Sequence, residues 1–390
     1  MNIAERYTTR ISDAELARRW ERIRTEMGHN DLDCLIFSAY DNMLGGYFRY
    51  VTDLMIADYP MTVLFPKDSD MCLIGHGGVS GACMSPDFLR GVASAPATPM
   101  MPTLWYTDHY VPELIKKEIQ AHNYKRVGIV AMATMPASTY LYLTEQLPDV
   151  EFVNATDMVD RIKAIKSPEE LQRLRQTVKI HDQICAAVPA FFRPGRVEFE
   201  LTADIRKLAS DLGAECIVNV GLGTDPVMPP KLMVPMQHRV IQEHDLLFCL
   251  IEVSGPGGLY SEISHMWSLG EPSEAMRKAS DTAVQAARLV EAHMRPGVPA
   301  SELLRVNNEY LVQQGYAPEE RLFGHGQGYD MVERPAFVEA ETMCLEKDMF
   351  VTAHPGAGNG SAMGVTCNSY IITEDGFEKL TQTPDGIIVC

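Results

Sequence analysis

Apolar residues fall into short, well-separated runs along the first 155 positions. DCLIFSA (33–39), MTVLFP (61–66) and MCLIGH (71–76) each read as a buried strand. KDSD (67–70) is a turn between the last two. VPELIKKEIQAH (111–122) carries helical spacing, and RVGIVAM (126–132) reads as the strand after it. An earlier helix opens at Ser12, with Glu15 three residues on in capping-box position. Strands alternating with helices predict an α/β unit with a mainly parallel sheet.

The pattern then changes. In RIKAIKSPEELQRLR (161–175), Ser167 is an N-cap, Pro168 takes the first helical position and Glu170 closes a capping box. Leu171, Leu174, Val178 and Ile184 continue one apolar face. The domain boundary is placed just before this helix, giving units 1–160 and 161–390. The second unit contains a repeat. RPGRVEFEL (193–201) and RPGVPASELL (295–304) each stop one helix and start an acidic-capped one. AECIVNVGLG (214–223) follows the first and RLFGHGQGYD (321–330) the second, both as β regions. Two helix–helix–strand units predict a pseudo-two-fold domain with antiparallel strands.

Composition narrows the function. The chain has 390 residues, 46% hydrophobic and 22% charged, enough for a sizeable core. A net charge of −18 with no basic cluster argues against nucleic acid and against anionic membranes. Nine scattered cysteines without a CxxC pair fit a reducing, cytoplasmic setting. The first twenty residues are polar and charged, unlike a secretory leader, and no apolar run reaches the roughly 18 residues of a membrane span.

Two acids stand out in FCLIEVSGPGGLYSEISHMWSLG (248–270). Glu252 and Glu262 lie on neighbouring apolar strands joined by a Gly-rich turn. Buried carboxylates need a partner, so the pair asks for a metal, a cationic ligand or a shared proton. Without a cation, like-charge repulsion should raise one carboxyl into the range of a proton donor. His325 sits between two glycines, which leave its ring open to a cavity as a general base or acid. His354 ends the apolar run MFVTA, where a satisfied strand-end residue is the plain alternative. Cys367, in GVTCNSYIIT, reads either as a small hydrophobe or, near His354, as a thiolate or soft metal ligand.

Four ordered stretches resemble the creatinase/prolidase/aminopeptidase P family, with its pita-bread fold. They are RIKAIKSPEELQRLR, residues 245–272, FGHGQGYDMVERP (323–335) and residues 349–376. FRYVTD (48–53) resembles its N-terminal domain more loosely. The resemblance implies an N-terminal creatinase-like α/β domain and a C-terminal pita-bread catalytic domain. Family metallopeptidases hold two metal ions with Asp, Asp, His, Glu and Glu. The matching positions here are Glu252, Glu262, His325, His354 and Cys367, so only the His is unchanged. Losing both later Glu removes the carboxylate that bridges two ions. The family's substrate-facing His is also missing from the 221–237 loop, and the next His is His238.

These departures lead to a metal-independent, creatinase-like hydrolase of a C–N bond in a small polar or cationic metabolite, with no cofactor. Glu252 and Glu262 would hold the cationic or amide nitrogen and His325 would move a proton. Glu333 and His354 would orient substrate or water, with Arg49, Tyr260 and Cys367 in substrate binding. The alternative is a metallohydrolase of Xaa-Pro dipeptidase type with a remodelled mononuclear Zn or Fe site, drawing on Glu252, Glu262, His325, His354 and Cys367. A third reading is a non-catalytic binding protein. The resemblance further implies a cytoplasmic homodimer acting on a small molecule.

Overall fold

The computed structural model describes residues 10–40, 45–55, 59–77, 83, 89–99, 104–225 and 238–390, with backbone alone for 218–225. The chain divides into two compact units, Met1–Lys163 and Ala164–Cys390. No described helix is long and apolar enough to cross a membrane.

The first unit runs α1 (Asp13–His29), β1 (Cys34–Ala39), α2 (Gly46–Thr52), β2 (Met61–Pro66), β3 (Met71–His76), β4 (Val92–Ser94), β5 (Ala97–Thr98), α3 (Tyr110–His122), β6 (Arg126–Val130), α4 (Ala137–Gln146), β7 (Glu151–Asn154) and α5 (Thr156–Ala164). Ser12 caps α1 by accepting the Glu15 N–H. The Glu15 carboxylate does not complete a capping box; it turns to Arg18 and Arg19 instead. A guanidinium is a stronger partner than a backbone amide. The sheet has the order β4-β3-β2-β1-β6-β7, with β5 beside β3. β1–β6 and β6–β7 are parallel, but β1–β2 and β2–β3 are antiparallel, which makes the sheet mixed. The short KDSD turn cannot carry the long crossover that parallel neighbours need. Ile36, Leu64, Ile74, Ile115, Ile119 and Ile129 pack between this sheet and α3.

The second unit begins with α6 (Pro168–Phe191) and α7 (Glu198–Asp211), then β8 (Cys216–Asp225), β9 (Leu246–Ser254) and β10 (Tyr260–Ser268). α8 (Glu274–Glu291) and α9 (Ala300–Gln313) follow, then β11 (Gly324–Gly326), β12 (Glu333–Ala336), β13 (Phe350–Ala353), β14 (Gly356–Gly358), β15 (Met363–Val365), β16 (Asn368–Ile372), β17 (Phe377–Lys379) and β18 (Ile387–Val389). Ser167 and Glu170 form the full reciprocal capping box of α6. Two larger sheets result, β18-β10-β9-β8 and β12-β11-β13-β16-β17.

The RPG repeat is visible atom by atom. Gly195 and Gly297 both take positive φ, +86° and +85°. Their N–H groups donate to Ile241 O and Leu345 O, each at 2.8 Å. Matching antiparallel bridges, Val197↔Val240 and Pro299↔Cys344, follow two residues later. A side chain is strained in this left-handed region even in open space. Gly195→Ala and Gly297→Ala should therefore each lower stability by about 1–2 kcal/mol, read by urea unfolding. An unchanged midpoint in both would sink the strain argument.

β10 is buried along its whole length because it is covered on both faces. Ile263 and Trp267 pack with Ile184 and Val188 of α6, in one apolar cluster. Met266 faces the other way, packing with Phe248 and with Met276 of α8. Trp267 is thus a core residue. Glu262 alternates with Ile263 and sits on the Met266 face.

Candidate metal centre

The site forms where the ends of two antiparallel hairpins meet. In the first, Glu252 lies directly opposite Glu262 in the β9–β10 ladder. In the second, the β13–β16 ladder ends at Ala353↔Asn368. One step further along the same register, His354 comes opposite Cys367, and Thr366 N–H donates to Pro355 O beyond it. β16 is laced to β10: Cys367 N–H donates to Ser264 O at 3.0 Å, and Ser369 Oγ donates to Glu262 O at 3.3 Å. β11 lies on the other edge of β13 and places His325 opposite Thr352. Its flanking glycines are required by crowding. A Cβ on Gly324 would come 2.1 Å from the Phe337 ring, and one on Gly326 2.5 Å from Arg334 O.

Glu262, His325 and His354 converge, with one ligand atom of each within 4.8 Å of the others. His325 Nε2 lies 3.3 Å from Glu262 Oε2, and the His325 and His354 ring centres are 5.6 Å apart. His325 Nδ1 is 2.9 Å from Gly326 O, so Nδ1 carries a proton and Nε2 is turned into the site. Burial raises the Glu262 carboxyl, but His354, His325 and the Cys367 thiol outweigh it and hold the acid well below the usual carboxylate range. This reverses the expected direction. The partner of Glu262 is a pair of imidazoles, so repulsion from Glu252 does not decide its state. Burial pulls His325 down, and the Glu262 contact more than restores it. Burial wins at His354, which is lowered. Cys367, fully buried and beside Glu262, is pushed far above an ordinary thiol, which makes it a poor nucleophile.

The other expected site residues are placed differently. Glu252 is buried opposite Glu262 but is not one of the converging three. Glu333 forms a buried ion pair with Lys166, Nζ to Oε2 2.8 Å, and accepts the Asp330 N–H at 3.2 Å. Both oxygens of Glu333 are thus already engaged by partners. Tyr260 is buried, and its N–H donates to Gly328 O at 2.6 Å. Arg49 lies on α2 of the first unit. Residues 226–237, most of the loop searched for a substrate-facing His, lie outside the described residues; His238 is exposed and edge-on to Phe199. Three further residues had no role assigned from sequence: Lys166, and the Glu319–Arg321 ion pair, which is within electrostatic reach of His354. Each reads in sequence as an ordinary solvated charge, so no local signal marks it.

The model of metallopeptidase family M24 matches residues 172–374, and the creatinase/prolidase N-terminal domain matches residues 19–165. This chain belongs to metallopeptidase family M24. The M24 chain is 25% identical over 278 residues to the uncharacterized peptidase YqhT of Bacillus subtilis, covering 70% of this chain and 77% of that protein. It is 28% identical over 267 residues to the probable dipeptidase PepE of Mycobacterium bovis, covering 67% and 70%. The crystal structure of dipeptidase PepE from Mycobacterium ulcerans superimposes with a TM-score of 0.81, 22% identity, and coverage of 97% of this chain and 99% of that one. That likeness carries the fold, two domains of creatinase and pita-bread type.

Membership of a metallopeptidase family and the converging ligand atoms overturn the cofactor-free expectation. The donor chemistry of these residues fits one ion. Two imidazoles and a carboxylate are a donor set for Zn²⁺ or Fe²⁺. Metal–ligand bonds of about 2.0–2.2 Å put tetrahedral ligand atoms roughly 3.4 Å apart. The 3.3 Å between His325 Nε2 and Glu262 Oε2 matches that spacing. An ion bound there would supply an activated water and polarise a carbonyl. The chain contributes the rest. Gly326 O fixes the His325 tautomer, and the ladders hold the three donors on rigid strand ends.

Proposed function

We propose that this protein is a metal-dependent hydrolase of a C–N bond in a dipeptide or similarly small amide. A single Zn or Fe ion would be held by Glu262, His325 and His354. The observation that carries this reading is the convergence of those three donors at the meeting of the two hairpins. Relatives named as dipeptidases support the substrate class. Replacement of the family's last Glu by Cys367 supports one ion over two, because no carboxylate remains there to bridge. Glu252 then stands beside the centre as the group to take up or return a proton. Lys166 and the Asp330 N–H hold the two oxygens of Glu333 in place.

The test is metal analysis together with turnover. Protein purified without added metal should carry about one equivalent of zinc or iron. It should hydrolyse members of a dipeptide panel that includes Xaa-Pro peptides, and lose that activity on chelation. Two equivalents, or turnover that survives chelation with no metal left, would overturn the reading.

A further inference from the structure

The two oxygens of Glu262 have different partners. Oε2 faces His325 Nε2 at 3.3 Å, and Oε1 faces Cys367 Sγ at 3.5 Å. We infer that Cys367 is a positioning residue for the metal centre: its thiol engages Oε1 and leaves only Oε2 to the ion. This rests on the metal reading above and goes beyond it by assigning the one donor type that the ligand set does not use.

Four observations carry the inference. Cys367 has no exposed surface, and its backbone is pinned to β10 by the hydrogen bond to Ser264 O. The position of its Cβ is therefore fixed, and Sγ is limited to a choice among χ1 rotamers, of which the one present faces Glu262. Sγ has three oxygens around it: Thr352 Oγ1 at 3.2 Å, Glu262 Oε1 at 3.5 Å and Glu262 O at 3.8 Å. The Thr352 hydroxyl has its own acceptor, Asn368 O at 3.2 Å, and the carboxylate is the charged and hence stronger acceptor for the single S–H. Finally, among the described residues Sγ is not one of the atoms that converge within 4.8 Å. The sulfur stands behind the carboxylate, where it limits Glu262 to binding through one oxygen.

The ladder explains why this position can do the work. Cys367 faces His354 across the end of one hairpin as Glu262 faces Glu252 across the other. That place puts the Cys367 side chain beside Glu262. Cysteine is short enough to reach a neighbour's carboxylate while staying out of the ligand sphere.

The experiment uses cobalt(II) titrated into the metal-free full-length protein. Wild type should bind about one cobalt with visible ligand-field bands and no near-ultraviolet sulfur-to-cobalt charge transfer. Cys367→Ser keeps a donor and should bind with the same spectrum and similar affinity. Cys367→Ala removes the donor and should bind about 10–100-fold more weakly, as for loss of an outer-shell partner. Circular dichroism checks that each variant is folded. A charge-transfer band in wild type that vanishes in Cys367→Ser would make the sulfur a ligand and overturn the inference, leaving the metal reading intact. Undiminished affinity in a folded Cys367→Ala would overturn it too. If Cys367→Ala does not fold, the wild-type and Cys367→Ser spectra still decide between ligand and neighbour. Failure of wild type to bind cobalt would remove both the inference and the metal reading.

Discussion

His325→Ala should strip the protein of its metal and of its turnover, and should also destabilise the metal-free chain, because it leaves the buried Glu262 carboxylate with one imidazole fewer. Among the described residues the imidazole supplies one of the three converging donors, and its Nε2 lies 3.3 Å from Glu262 Oε2. Two remaining donors cannot hold a catalytic ion that normally uses three protein ligands. The affinity loss should exceed the 10–100-fold that an outer-shell partner costs, so about 100-fold is a lower limit. Calorimetric titration with zinc measures it directly. Thermal unfolding of the metal-free proteins separates ligand loss from damage to the fold. His325 is buried against Glu262, so the variant loses both packing and part of the pairing of that carboxylate. Zinc binding indistinguishable from wild type would remove His325 from the centre.

Lys166→Met should be the most destabilising change outside the site. The Lys166 and Glu333 side chains are 2% and 5% exposed, 2.8 Å apart and distant in sequence. Removing one partner of a buried pair leaves a costly buried charge, typically 3–5 kcal/mol. The Asp330 N–H still donates to Glu333, which argues for the low end, about 3 kcal/mol. Pairing the change with Glu333→Leu should recover much of the loss, because an apolar pair of similar volume avoids the desolvation of both charges. Urea unfolding of wild type, both single variants and the double variant closes the cycle. A loss under about 1 kcal/mol in Lys166→Met would mean that the pair behaves like a surface one.

Much of the fold was legible. The apolar runs of the first unit became β1, β2, β3 and β6 where periodicity put them. Ser167, Pro168 and Glu170 announced α6, and the two RPG stops announced the repeat. The sheet is mixed where strand–helix alternation predicts a mainly parallel one, because alternation does not register that β2 and β3 are joined by the short KDSD turn. At Glu15, a local capping pattern lost to two guanidiniums, one of them fully buried. In the site, His325 was marked by its glycines and Glu262 by its apolar strand. His354 and Cys367 carried weaker signals, the end of an apolar run and a lone cysteine near it, until the family's ligand positions fell on both.

What the sequence determined by itself is the inventory: which segments are strands and helices, where they are capped, and which few polar residues ride on apolar runs. These are local properties, set by side-chain period and by backbone preference within a few residues. Only the tertiary structure decided which polar residue meets which. Glu262 lies on β10 and His325 on β11, while His354 follows β13 and Cys367 precedes β16, and they meet because the β9–β10, β11–β13 and β13–β16 ladders fix their registers. Lys166 finds Glu333 in the same way, across 167 positions. Such contacts depend on register and burial together. Burial then sets which partner governs a charge, and so turned an expected pair of acids into a carboxylate held between two imidazoles and a thiol.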